Sequence, residues 1–286
     1  MVFNKNVLHR EGYLKKKRKR KFAKYAVFVL LVSLIIGLGS YISHRSNIRI
    51  SKVVLSGGVL VTEEDVSDET LSFIGNSYFW LFPKNNIFWY PRNALLNDLK
   101  TKFRRIDTIN IHLKDFHTLA IDITERKPIG TWCSTSSVTS TVPENGSVPV
   151  EQCYFIDQNS TIFAKAPQFS GDAYFKYYGL ITDDNPIGEE YIASTTEFSE
   201  VVSFVEAVKR LYVRPLYLVA NGQDEFSLVV AGGGAIYFDT KEPLSKAAAN
   251  FEALLETHEL ATSTSGNLPI DYIDLRYGNK LFYKLK

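Results

Sequence analysis

The sequence predicts an α+β protein: a single amino-terminal membrane-spanning helix, a βααββ module, and a larger α+β domain on a mainly antiparallel sheet. Three observations carry this. A basic run at residues 15–21 abuts an apolar stretch at residues 26–42. Two alternating segments, 109–113 and 119–123, read as a hairpin with one buried and one solvated face. From residue 153 onward, strand-like and helix-like patterns interleave.

The apolar stretch is close to the ~20 residues a helix needs to cross a ~30 Å hydrocarbon core. Basic residues hold the near end in the cytoplasm, so residues 43–286 are expected outside. The competing reading is a removable signal peptide. Against it stand the long leader, the lack of an A-x-A-like exit, and the absence of a Cys for lipidation. The expected organisation is a basic cytoplasmic tail (1–24), a span (25–43), a first module (48–128) and a second (129–286) containing a loop insertion (134–152). Residues 1–24 hold ten Lys and Arg against Glu11 alone, which leaves 23 basic and 30 acidic residues, about −7, in the remainder. The basic tail suits anionic lipid headgroups. The acidic remainder argues against nucleic acid, whose phosphates demand a basic footprint.

Within the first module, residues 48–56 read as a strand ending at Gly57-Gly58. Thr62 and Asp65 resemble a capping box, with Asp in place of Glu, for a helix running to about Phe73 and stopped by Gly75. Pro91 suits the first turn of a second helix that buries Leu95, Leu96, Leu99 and Phe103. The 109–123 hairpin completes a three-stranded sheet with both helices on its buried face. In the second module, residues 154–156 and 161–164 form another hairpin. Ser194 and Glu197 cap a helix with the stripe Val201, Val205, Val208 and Tyr212. Three strands follow at 216–220, 225–230 and 235–239. Pro243 then opens a helix burying Leu244, Ala247, Phe251 and Leu254. Strands at Ile270–Tyr277 and Lys280–Leu285 come last.

The residues offer no catalyst, cofactor or metal site. His44, His112, His117 and His258 lie in separate elements, and pairing of His112 with Asp122 across the hairpin is structural. Asp183-Asp184 and Glu189-Glu190 read as a charged surface loop, and Gly232-Gly233-Gly234 as a hairpin turn without the Lys-Ser/Thr of a phosphate loop. The sequons at Asn145 and Asn159 mean little in a bacterial chain. Cys133 and Cys153 bracket a Ser/Thr/Val-rich loop; a bridge closing it in an oxidising compartment would contribute about 3 kcal/mol, and two free thiols are the alternative. Residues 77–90 form an aromatic-rich loop including Tyr78, Phe79, Trp80, Phe88 and Trp89. Two readings are open: rings filling the core between helices and sheet, or an interface toward lipid or protein.

Taken together, the basic tail, the span, residues 48–58, the run Ile121-Asp122-Ile123-Thr124-Glu125-Arg126-Lys127-Pro128, Tyr154-Phe155-Ile156-Asp157 and Ile273-Asp274-Leu275-Arg276-Tyr277 resemble the bacterial cell-division family FtsQ/DivIB over roughly residues 15–286. The resemblance implies a membrane-proximal POTRA domain followed by a β domain. It also implies a non-enzymatic scaffold that joins the single-span proteins FtsB/DivIC and FtsL and helps recruit and control septal peptidoglycan synthesis. The chain departs from the family at Phe103-Arg104-Arg105-Ile106, where Pro-x-Val is common, in its long loops, and in Gly278-Asn279 where Asn-Gly is commoner. The family's main partner contact lies around the last strands. Carried over by motif, it points to Arg276, Tyr277 and Gly278, with Lys280, Phe282 and Lys284 on the neighbouring strand.

The residues supply a mechanism beside that resemblance. A strand at a sheet margin presents backbone groups onto which a partner segment can add, and Lys280, Lys284 and Lys286 would attract an acidic segment. The alternative is an interior strand, or one that lysines merely keep soluble. Charge reversal at Arg276 and Lys284 is then expected to weaken partner capture. The runner-up function is a POTRA-bearing component of polypeptide transport or envelope assembly.

Overall fold

The computed structural model describes residues 7–134, 152–169, 173–181, 183, 185–256 and 267–286, with side chains from residue 16. Outside these lie residues 1–6, the side chain of Lys15, most of the 134–152 loop with the Asn145 sequon, Asp184 and His258. The chain is α+β and divides into two units, residues 1–124 and 125–286.

In the first unit, helix α1 (Val7–Ser43) runs unbroken from the basic tail through the apolar stretch. No proline interrupts it, and its apolar side chains, Phe28, Leu30, Leu34 and Ile35 among them, are exposed all round. Its Lys16–Ser43 portion, 28 residues, is long and apolar enough to cross a membrane. A 3-10 turn at Ser46–Ile48 follows, so strand β1 begins only at Lys52 (Lys52–Ser56). This corrects the expected start at residue 48. Ile50 instead donates its N–H to the Asn85 carbonyl at 2.7 Å, which ties residues 49–50 to the aromatic loop and away from the sheet ladder.

Helix α2 (Glu63–Ile74) is capped by Thr62, whose Oγ1 accepts from the Asp65 N–H at 3.2 Å. Asp65 is too short to reach back to the Thr62 backbone as a Glu would; its carboxylate accepts the Thr62 hydroxyl proton at 2.6 Å. A minimal hairpin, β2 (Ser77–Tyr78) and β3 (Phe82–Pro83), precedes helix α3 (Arg92–Lys102), with Pro91 at the cap and not in the first turn. Strands β4 (Ile106–Leu113) and β5 (Thr118–Glu125) complete a sheet ordered β1-β5-β4, β1 lying parallel to β5. Val53, Val66, Ile74, Leu95, Leu99, Ile106, Ile111, Leu119 and Ile121 form the core. Leu113, expected inside, is exposed at the strand end. Gly57 is held left-handed at φ +84°, and a Cβ there would meet the Ile123 carbonyl oxygen at 2.1 Å, so this corner requires glycine.

The second unit is built on a nine-stranded sheet among the described residues. Its strands are β6 (Gly130–Cys133), β7 (Cys153–Ile156), β8 (Ile162–Lys165), β9 (Phe175–Gly179), β10 (Pro215–Ala220), β11 (Glu225–Val230), β12 (Gly234–Asp239), β13 (Ile270–Tyr277) and β14 (Lys280–Leu285). Their order across the sheet is β14-β13-β12-β11-β10-β9-β6-β7-β8. Antiparallel pairing dominates, but β9 lies parallel to both β6 and β10, and β12 lies parallel to β13. Helix α4 (Thr195–Arg210) begins with Ser194 Oγ accepting the Glu197 N–H at 3.3 Å. Helix α5 (Leu244–Leu255) buries Leu244, Phe251 and Leu254. The α4 stripe holds at Val201, Val205 and Val208 but fails at Tyr212. The helix has ended by then, and Tyr212 turns left-handed (φ +61°) into solvent. Phe198 and Phe204 supply the missing apolar volume. Cys133 and Cys153 face each other across β6 and β7 and are joined as a disulfide.

Candidate functional site

A nine-stranded sheet has two margins, and here they differ. At β8 the margin is covered: Ile162 donates to the Glu189 carbonyl at 2.9 Å and accepts from the Gly188 N–H at 2.7 Å, while Thr161 bridges Glu190. At β14 no further strand pairs among the described residues. Strand β14 is exposed over most of its length. Leu281 alone packs toward the core, while Lys280, Phe282, Tyr283, Lys284 and Leu285 lie exposed, Phe282 to 50%. Tyr277, also exposed, meets the Phe282 ring edge-on with centroids 5.2 Å apart. The structure therefore brings Tyr277, Lys280, Phe282 and Lys284 onto one accessible margin.

The turn joining β13 to β14 explains the order Gly278-Asn279. Tyr277 pairs with Lys280, leaving two loop residues. Gly278 takes φ +65°, whereas Asn279 stays in the right-handed half of the map. Glycine first is the type II′ arrangement, just as Asn-Gly suits type I′. Asn250 of α5 donates to the Gly278 carbonyl at 2.8 Å and holds the turn in place.

Arg276 is differently placed. Its guanidinium donates to Asp274 at 2.9 and 2.7 Å and to Glu225 at 3.3 Å, and lies 5.6 Å from the centre of the Tyr237 ring. Burial of Asp274 would raise its pKa, but the Arg276 hydrogen bonds outweigh it and hold the carboxyl below its ordinary value. Reversing charge at Arg276 would thus strip a partner from a buried carboxylate, so the expected double reversal at Arg276 and Lys284 does not separate capture from folding. Lys284 pairs with Asp271 at 2.8 Å on the surface, which raises the ammonium pKa and lowers that of the carboxyl. Lys286 donates to the Gly232 carbonyl.

Two other marks singled out in the sequence meet inside the same unit. Arg126 pairs with Asp157, which is only 2% exposed and whose other oxygen accepts the N–H groups of Asn159 and Thr161, both at 2.9 Å. The pair braces the β7–β8 turn. His112 and Asp122 stand 3.3 Å apart on the exposed face of the first unit's hairpin.

The tip of the aromatic loop is not core, although Ile87 near its end is buried in the first unit's core. Phe79 is 85% and Trp80 86% exposed, and both are left-handed, at φ +46° and +51°. With Leu81 N–H donating to the Tyr78 carbonyl at 3.0 Å, this is the φ pattern of a type I′ turn, occupied by two bulky rings where Asn-Gly is usual. Phe82 is half-buried and meets Trp89 edge-on at 5.7 Å, and Tyr90 packs against the first unit's core. Ser40 of α1 donates to the Leu81 carbonyl at 2.7 Å, and buried Asn86 donates to the Ser43 carbonyl at 3.3 Å.

A 630 Å³ cleft between α4 and α5 is lined by Ser199, Ser203, Arg210 and Glu252 together with apolar Phe204 and Leu211. Among the described residues no group of three His, Cys, Asp or Glu side chains is placed to hold a metal ion. No protein-family model matches the chain, and no curated protein matches it in sequence.

Proposed function

We propose that the chain is a non-enzymatic bitopic scaffold of the FtsQ/DivIB kind. In this reading α1 crosses the cytoplasmic membrane with the basic tail inside. The first unit is its POTRA domain, and the second receives FtsB/DivIC-like and FtsL-like partners at the division septum. The observation that carries it is the contrast between the covered β8 margin and the open β14 margin with its Lys280–Phe282–Lys284 face. Backbone hydrogen bonds from a partner strand would supply affinity, and the exposed rings and ammonium groups would select an acidic, apolar-flanked segment. The order β1-α2-α3-β4-β5, interrupted between the helices by the small β2–β3 hairpin, supports the POTRA assignment.

A photo-crosslinking residue at Phe282 in the full chain, expressed in cells, is expected to trap a FtsB/DivIC-like single-span protein. Lys280→Glu/Lys284→Glu, which spares Arg276, is expected to weaken that capture on the order of tenfold. Undiminished capture by the double variant, with no adduct at residue 282, rules the margin out. A fluorescent fusion recruited to midcell during constriction supports the scaffold. An even envelope distribution favours a POTRA-bearing component of polypeptide transport or envelope assembly.

A further inference from the structure

The exposed turn carrying Phe79 and Trp80 has a place in the fold that identifies its occupant. At 1.5 Å per residue, the apolar stretch of α1 rises roughly 25 Å, close to the thickness of a bilayer's hydrocarbon core. Its far end is residues 40–43. Those same residues hold the aromatic loop, through Ser40 to the Leu81 carbonyl and through the Ser43 carbonyl and hydroxyl to Asn86. A Cβ on Gly39 would lie 3.8 Å from the Phe82 ring, ordinary packing contact. The backbone beside Trp80 is thus fixed level with the last turn of the apolar helix.

The surroundings have the chemistry of a headgroup boundary. Arg45 sits over the Tyr41 ring at 4.9 Å and donates to its hydroxyl at 2.8 Å, and Lys84 sits 5.4 Å from the centre of the Tyr78 ring. Aromatic rings backed by cations are favoured where apolar chains give way to phosphates. We infer that Phe79 and Trp80 insert into the lipid boundary through which α1 leaves the bilayer, so that the first unit is held to the membrane at two points.

The inference rests on α1 crossing the bilayer, but not on which partner the β14 margin takes. Its test uses the full chain in vesicles of phosphatidylethanolamine and phosphatidylglycerol whose acyl chains carry bromine, a contact quencher of indole emission. The chain has three tryptophans, and Trp132 is buried in the other unit. Bromine near the headgroup end is expected to quench wild-type emission, and Trp80→Phe, at an exposed position, to reduce that quenching roughly twofold or more. Emission untouched by bromine but quenched by aqueous iodide, in protein that stays embedded through an alkaline carbonate wash, overturns the inference and assigns the turn to water or a protein partner. Release by the wash overturns its premise instead, and the two failures are therefore told apart.

Discussion

Arg126 and Asp157 show how much of this chain's polar detail is structural. Asp157 is buried, and its two backbone hydrogen bonds leave one oxygen for the guanidinium. Removing Arg126 leaves that charge unpaired, a change that costs about 3–5 kcal/mol in comparable sites. Arg126→Ala is therefore expected to lower the thermal midpoint of the detergent-solubilised chain by roughly 6–15 °C, with Arg126→Lys recovering part of the loss; an unchanged midpoint would show the pair to be dispensable. Asp274 adds a pH dependence of known sign. Its folded pKa lies below its ordinary value, so its stabilising effect is complete above about pH 4 and disappears as pH falls through the folded pKa. Amide exchange in β13 and β14 is expected to quicken as pH falls below about 4, beyond the intrinsic rate change, and Asp274→Asn is expected to flatten that response. Neither the Arg126–Asp157 pair nor the Arg276–Glu225 pair was legible in the sequence as a contact. Arg126 and Asp157 stand 31 residues apart and Arg276 and Glu225 stand 51 apart, so only the folded register brings them together.

At the scale of elements, alternation and caps located most strands and helices, including Glu225–Val230, Ile270–Tyr277 and Lys280–Leu285 to the residue. In the second unit, the two strands with no signal, β6 and β9, share a cause. Both lie inside the sheet in parallel pairing, where strands lose the in–out alternation that marks a half-exposed one. All four residues of β6 are buried, and Tyr177 and Tyr178 of β9 are buried side by side. The β14 margin was legible as a Lys-x-Phe-x-Lys pattern, but its openness was not, because strand order is absent from local pattern. The β2–β3 turn is an opposite case: its aromatic composition left core and interface both open, and the left-handed backbone at Phe79 and Trp80 shows exposure obtained against conformational preference. Such a position costs roughly 1–2 kcal/mol for a side chain with a Cβ. Phe79→Asn/Trp80→Gly is accordingly expected to stabilise the chain in detergent by about that much while abolishing the bromine-quenched emission. Destabilisation instead would mean that the rings pack where the structure exposes them.

For the whole molecule, the apolar segment was the plainest feature in the sequence, and its continuity with the basic run as a single helix the less expected one. Read as a sequence, residues 44–47 look like a short connector between anchor and module. In the folded chain the side chains of Ser40 and Asn86 bypass that connector, joining helix end to loop directly. Slack is therefore missing where a leash would ordinarily supply it. If α1 spans a bilayer as proposed, a membrane too thin for it makes the helix lean, and the stapled joint would pass that lean on to the first unit as a rotation. The attitude of that unit would then serve as a gauge of local membrane thickness.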